Sequence, residues 1–204
     1  MKLYYAAGAC SLSPHIVALE AGIAVELEKV DTKAKRTASG EDYWQINPKG
    51  YVPALQLDNG ELLTEGTAIV QYLADLKPES GLAPANGTTA RYRLQETLGY
   101  INSELHKSYT PLFKPDTPDA VRDDRKDYLR KRYALLDQHL AKHDWLIGEQ
   151  FTAADAYLFT VTNWAQHVSL DLSDFPAILA FQQRVSSRPQ VQSALKAEGL
   201  LKAA

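Results

Sequence analysis

The chain contains one cysteine, Cys10, and its neighbours place it where a thiol can be used rather than merely packed. Leu3-Tyr4-Tyr5 predicts a short strand, Gly8 supplies a flexible turn, and Ser11-Leu12-Ser13-Pro14 opens a helical pattern. A cysteine at a strand-to-helix turn meets the helix's unpaired N–H groups and its positive end, which favour thiolate over thiol. The competing reading is a buried cysteine acting as a small hydrophobe. Cys10-Ser11-Leu12-Ser13 also has the C-x-x-S spacing of one-thiol redox chemistry.

Three further features fall at predicted element ends. Val52-Pro53 opens a strand, the position where a proline without an N–H is tolerated. A cis bond there would turn the Val52 backbone outward to pair with an extended ligand, although trans is the commoner form of an isolated X-Pro bond. Thr64-Glu65-Gly66 directly precedes a helix expected from Thr67. Glu65 can hold an ammonium while the N–H groups of Gly66 and Thr67 hold a carboxylate, a match to the two charged groups of an amino acid. An acid that only complements the helix dipole is the plainer alternative. Lys33-Ala34-Lys35-Arg36 is a basic loop, which alone would be solvated surface. Together the four features suit a short anionic peptide.

The elements that must position these residues are legible. A strand at Leu3–Ala6, a helix at Pro14–Ala21 stopped by Gly22, and a strand at Val25–Val30 make a βαβ unit with parallel strands. A short helical or irregular stretch is expected near Glu41–Ile46. Val52–Leu57 and the strand opening at Leu62 form a hairpin across Asp58-Asn59-Gly60. Ala68, Ile69, Tyr72, Leu73 and Leu76 then recur at helical spacing. The order is βαβ-ββα.

Beyond Leu76 the composition turns to proline, glycine and polar residues, and no convincing strand follows Thr88. Helices are predicted near Thr88–Tyr109, Pro118–Lys142, Thr152–Val168 and Pro176–Ser187, with a shorter one after Pro189. Thr152 followed by Asp155 reads as a capping box and nothing more. The expected division is 1–80 for a small α/β domain, 81–87 for a linker, and 88–204 for an all-α domain.

Composition narrows the function classes. A chain of 204 residues with a formal net charge of −3 gives no general attraction to nucleic acid or anionic membrane. One cysteine excludes an internal disulfide. Gly8 and Ser11 interrupt the N-terminus too early for a signal-peptide core, and no run is long enough to span a bilayer, so a cytoplasmic protein is expected. Scattered histidines and a single cysteine make a structural metal site unexpected. His15, His139, His143 and His167 read as ordinary packing or surface residues, and Tyr92, Tyr100, Tyr109 and Trp164 chiefly as helix packing.

The ordered motifs Met-Lys-Leu-Tyr-Tyr-x-x-Gly-Ala-Cys-Ser-Leu-Ser-Pro-His, Asn47-Pro48-Lys49-Gly50-Tyr51-Val52-Pro53-Ala54-Leu55 and Leu63-Thr64-Glu65-Gly66-Thr67-Ala68-Ile69 resemble the bacterial beta-class glutathione S-transferases. The likeness continues through Ser103–Lys107, Pro111–Phe113, Phe151–Phe159 and Arg188–Gln192, and so spans essentially the whole chain. It implies a thioredoxin-like α/β N-terminal domain that binds glutathione, an all-α C-terminal domain for a hydrophobic electrophile, and a homodimer to which Gln95–Glu104 contributes. It assigns Cys10 to the thiol chemistry, Val52 before a cis Pro53 to the cysteinyl backbone, Glu65 and Gly66 to the γ-glutamyl end, and Lys35 to the glycyl carboxylate. Ser103, Glu104, Leu105 and His106 border the site, with His106 nearest the thiol, and Tyr5 is a nearby tyrosine that is not the main activator.

Two positions depart from the pattern. Gly99 stands where close relatives often carry an Asn that contacts glutathione, and Gly66 replaces the Ser common after this Glu in other transferase classes, leaving only a backbone N–H for the carboxylate. The expected function is transfer of the glutathione thiolate to aromatic halides or chlorinated compounds, with thiol–disulfide exchange through Cys10 as a competing chemistry. A non-catalytic glutathione- or hydrophobic-ligand-binding protein is the alternative from another class.

Overall fold

The computed structural model describes residues 1–201, which divide into two compact units: Met1–Ala83 together with the segment from Ser187, and Pro84–Ser186.

The first unit is built on a five-stranded sheet in the order β3-β2-β1-β4-β5. Strand β1 (Lys2–Tyr5) leads through helix α1 (Leu12–Glu20) to β2 (Glu26–Asp31), which pairs parallel to β1 with Leu3 opposite Leu27. This is the expected βαβ unit. Strands β4 (Ala54–Gln56) and β5 (Leu62–Thr64) form the expected hairpin, and β4 lies antiparallel on β1 with Leu3 opposite Leu55. A two-residue strand, β3 (Arg36–Thr37), pairs with the end of β2 where the sequence reads as a basic loop. Two residues are too few to show an alternating pattern. The pairing is made instead by a turn in which Asp31 Oδ1 accepts the N–H groups of Lys33 and Ala34.

Alternation along the strands puts Tyr4 and Ala54 on one face, with Val30 and Tyr43 of the short helix α2 (Tyr43–Ile46) completing a buried cluster there. Helix α3 (Gly66–Asp75) buries Ile69, Val70, Leu73 and Ala74 and packs against α1.

The second unit contains α4 (Thr89–Tyr100), α5 (Lys107–Tyr109), α6 (Asp119–Leu140), α7 (Ala153–Thr162) and α8 (Pro176–Ser186). Every residue of α7 is buried, so it is the central helix, touching α4 and α8. Its start carries the expected capping box: Asp155 accepts hydrogen bonds from Thr152 N at 2.7 Å and Thr152 Oγ1 at 2.8 Å, and also from Leu146 N at 2.9 Å. Between α4 and α5 the chain widens into a π-helical turn over Ile101–His106. The predicted helix Thr88–Tyr109 is thus one rod with an inserted bulge, a feature that often marks functional segments.

The second domain is expected over 88–204, of which 202–204 lie outside the described residues, whereas the contacts group the segment from Ser187 with the first unit. Helix α9 (Pro189–Ala197) packs on α1 and groups with the first unit. Arg188 ties it there through both oxygens of Glu20, at 2.7 and 2.8 Å. The buried Glu198 carboxylate completes the tie by meeting His15 Nδ1 and the Gly8 N–H, each at 2.9 Å.

Candidate functional site

The first unit gathers the predicted thiol, backbone pairing residue and acid at element ends. Cys10 sits in the turn between β1 and α1. Ala9 N donates to Ala6 O, and the Ser11 hydroxyl both accepts from Ala6 N and donates to Ala6 O at 3.1 Å. Ser13 Oγ donates to Cys10 O at 2.9 Å. These bonds fix the turn so that Cys10 Sγ lies 3.1 Å from the Val52 carbonyl oxygen, to which it donates. The Val52–Pro53 bond is cis. The sequence therefore brings Cys10 and Val52 together across 42 residues.

The loop from α2 to β4 holds Val52 in place. The buried Asn47 donates through Nδ2 to Tyr51 O at 2.8 Å, and the Tyr43 hydroxyl donates to the same oxygen at 2.8 Å. Gly50 adopts φ +66°, and a Cβ there would stand 2.5 Å from Trp44 Cζ3, so the loop accepts only glycine without rearrangement. Lys35 donates to Gly50 O at 2.7 Å, with its ammonium over the Trp44 and Tyr51 rings. Its cation is thereby held at one place, rather than sweeping freely as part of a solvated loop.

Glu65 precedes α3 with φ +68° and does not cap its own helix. Its carboxylate is exposed and paired with Lys49 Nζ at 2.8 Å. Lys49 also donates to Thr64 Oγ1 at 2.9 Å. Sequence reasoning did not assign Lys49 a role, because its partners lie 15 and 16 residues away across a hairpin. The Asn-Pro-Lys-Gly turn was the available signal. Gly66 opens α3, and its N–H and that of Thr67 are among the helix's first donors, which have no intrahelical acceptor. Tyr5 closes β1. Burial, followed by the nearby Glu198 charge, raises its pKa and keeps the phenol protonated.

In the second unit the predicted residues occupy the π-helical turn. Ser103 Oγ donates to Gly99 O at 3.0 Å. Glu104 accepts from the Tyr128 hydroxyl at 2.5 Å and pairs with Arg132 at 2.8 Å; the Tyr128 hydrogen bond leads the causes that lower its pKa. Leu105 is fully buried, its side chain packed in the unit's interior, so the contact to ligand expected of this position is one for its backbone. His106 Nδ1 is 2.6 Å from the Tyr157 hydroxyl, which in turn donates to Asn102 Oδ1 at 3.0 Å. The imidazole packs edge-on against Trp164, with centroids 4.8 Å apart. Burial, and then the Lys107 charge, push its pKa down to about 4, so it is neutral at neutral pH.

Among the described residues, no cluster of three or more His, Cys, Asp or Glu side chains is disposed to hold a metal ion. No described helix is long and apolar enough to cross a membrane.

The glutathione S-transferase N-terminal domain model matches residues 1–75, and the C-terminal domain model matches residues 100–189. The chain is 50% identical over 200 residues to the glutathione S-transferase GstA of Escherichia coli O157:H7, covering 98% of this chain and 100% of that one. A sphingomonad glutathione S-transferase solved in complex with glutathione superposes with a TM-score of 0.95 at 45% identity, over 98% of this chain and 100% of that one. The bacterial beta-class enzyme of Sphingomonas chungbukensis superposes at 0.96 and 43% identity, with the same coverage. With both family domains matched in order on a thioredoxin-like sheet and a helical second unit, the chain belongs to the glutathione S-transferase family, in its bacterial beta class, and is a glutathione transferase enzyme.

Proposed function

We propose that this transferase binds glutathione as an extended peptide along the first unit and transfers its thiolate to hydrophobic electrophiles such as aromatic halides or chlorinated compounds. The observation that carries the reading is the 3.1 Å approach of Cys10 Sγ to the Val52 carbonyl, which puts the thiol beside a backbone able to pair with a cysteinyl residue. Glu65 then receives the γ-glutamyl ammonium, the N–H groups of Gly66 and Thr67 receive its carboxylate, and Lys35 receives the glycyl carboxylate. The glutathione complex of the sphingomonad relative supports the ligand.

Within the helical unit, Tyr109, Phe113 and Trp164 form an aromatic cluster with His106. Phe113 is 49% exposed, an apolar surface suited to a flat electrophile. His106, uncharged, is proposed to hydrogen bond to the reacting sulfur, with Tyr5 as a protonated auxiliary. Ser103 and Glu104 keep the proposed role of polar contacts to glutathione.

Disulfide exchange is the second chemistry. The Cys10 sulfur attacks the mixed disulfide, expels the substrate thiol as its leaving group and forms a Cys10–glutathione disulfide. Glutathione thiolate then cleaves that bond, releasing oxidised glutathione. Cys10→Ala separates the two chemistries when both are assayed on one preparation. Exchange should vanish, whereas conjugation should survive in part because glutathione brings its own nucleophile. Full exchange activity in the variant would remove Cys10 from covalent chemistry.

The same proposal makes the protein a cytoplasmic homodimer that serves detoxification. Support for the dimer comes from a groove of about 520 Å³ between α4 and α6, lined by Tyr100, Leu135 and Leu136. Such apolar surface is characteristic of an interaction face.

A further inference from the structure

We propose that Lys49 forms the second half of the γ-glutamyl subsite, binding the free α-carboxylate of the peptide and so selecting a terminus that carries both charges. The inference rests on the reading that Glu65 receives the ligand ammonium.

Gly66 offers the ligand carboxylate no hydroxyl, although a Cβ there would meet only Pro53 Cγ, at an ordinary 3.7 Å. Space exists for a polar side chain, and the chain supplies none at that position. Lys49 supplies a cation beside it instead. Its ammonium lies 2.8 Å from Glu65 Oε1 and 2.9 Å from Thr64 Oγ1. Two of its three N–H groups are thereby directed, and the third remains for a ligand. Glu65 Oε2 accepts no hydrogen bond among the described residues, and so remains for an ammonium.

A fixed plus-and-minus pair results, next to the first N–H groups of α3. The ammonium and carboxylate of an α-amino acid are themselves adjacent on one carbon. Laid antiparallel on the Lys49–Glu65 pair, each charge of the ligand meets its opposite. A neutralised or single-charge terminus leaves one member of the pair without this partner.

The placement of Lys49 is built into the loop. Its own N–H is held by the Oδ1 of buried Asn47 at 3.1 Å, and the next residue is the glycine seated on Trp44. An exposed ion pair adds little to stability, so fold maintenance does not account for the double tether at Thr64 and Glu65.

Calorimetric titration of the full-length enzyme tests the proposal with three peptides: glutathione, 4-aminobutanoyl-Cys-Gly lacking the α-carboxylate, and glutaryl-Cys-Gly lacking the α-amino group. Lys49→Met should weaken glutathione binding about tenfold, the scale of one charged hydrogen bond. It should leave the 4-aminobutanoyl peptide unchanged, and Lys49→Arg should retain most of the affinity for glutathione. Tighter glutathione binding by Lys49→Met would show that Lys49 only competes with the ligand for Glu65, and would overturn the proposal. Equal losses for glutathione and the 4-aminobutanoyl peptide would also overturn it, by showing a general disturbance. Equal binding of glutathione and glutaryl-Cys-Gly by the unmodified enzyme would instead remove the ammonium contact at Glu65, the separate reading on which the proposal stands.

Discussion

Glu65 shows how exposure sets the size of an effect. Its carboxylate is exposed and already shared with Lys49, so removing it should cost less than breaking a buried pair. Glu65→Ala is expected to weaken glutathione binding by about 1.5 kcal/mol, roughly tenfold, with little change in the chemical step. A titration showing unchanged affinity would exclude this placement. Cys10, Val52 and Glu65 were legible in the sequence because each stands where an element ends, and element ends can be read from local pattern. Lys49 and the Tyr157 partner of His106 were not, because long-range contacts leave no periodic trace.

His106 adds a pH effect. Its pKa falls from 6.5 to about 4 on folding. Between those values the unfolded chain binds the proton and the native protein does not, so stability rises with pH across that window and is lost as pH falls through it. Asp155 runs the other way, raised by burial from 3.8 to about 6, which favours the native state at the acidic end of the same range. Comparing His106→Phe with the unmodified enzyme isolates the histidine. Urea unfolding should show the unmodified enzyme losing up to about 3 kcal/mol relative to the variant between neutral pH and pH ~4. Parallel curves would contradict a buried, neutral imidazole.

Among the elements, the loop from α2 to β4 does most to place the site. It carries Lys49 and Val52 and receives Lys35, and its shape depends on Gly50. Gly50→Ala must strain a left-handed backbone and push into the Trp44 ring, an expected loss of about 1–3 kcal/mol. Gly40→Ala, with φ +92° but nothing within 4 Å, should cost less and leave glutathione binding intact. Thermal unfolding with parallel titrations would check both, and a harmless Gly50→Ala would contradict the account of the loop. The hairpin, the capping box and the main helices were legible because turn chemistry and periodicity are local. The π-helical turn was not: a helix interrupted by a single bulge keeps the propensities of a continuous one. Leu105 nonetheless continues the buried helical spacing of Leu94, Leu98 and Ile101.

At the scale of the whole molecule, no local pattern marks the return of the chain to its first unit at Ser187. A helical pattern names an element without naming its partner, and α9 is assigned by Arg188–Glu20 and by Glu198 with His15 and Gly8. Glu198→Gln keeps the shape and weakens the buried acceptor of both groups, so a drop in unfolding midpoint equivalent to about 1–3 kcal/mol is expected. An unchanged midpoint would show that this contact does not secure the C-terminal segment. The proposed homodimer should sediment at twice the chain mass at micromolar concentration, and a single-chain mass would exclude it.

Glutathione binding along the first unit is tested most directly by amide chemical shifts recorded during a glutathione titration of the intact enzyme. The N–H signals of Val52, Gly66 and Thr67 should move together, saturably and with one affinity. Saturation with those three signals unmoved would contradict the placement of glutathione along Cys10, Val52 and Glu65.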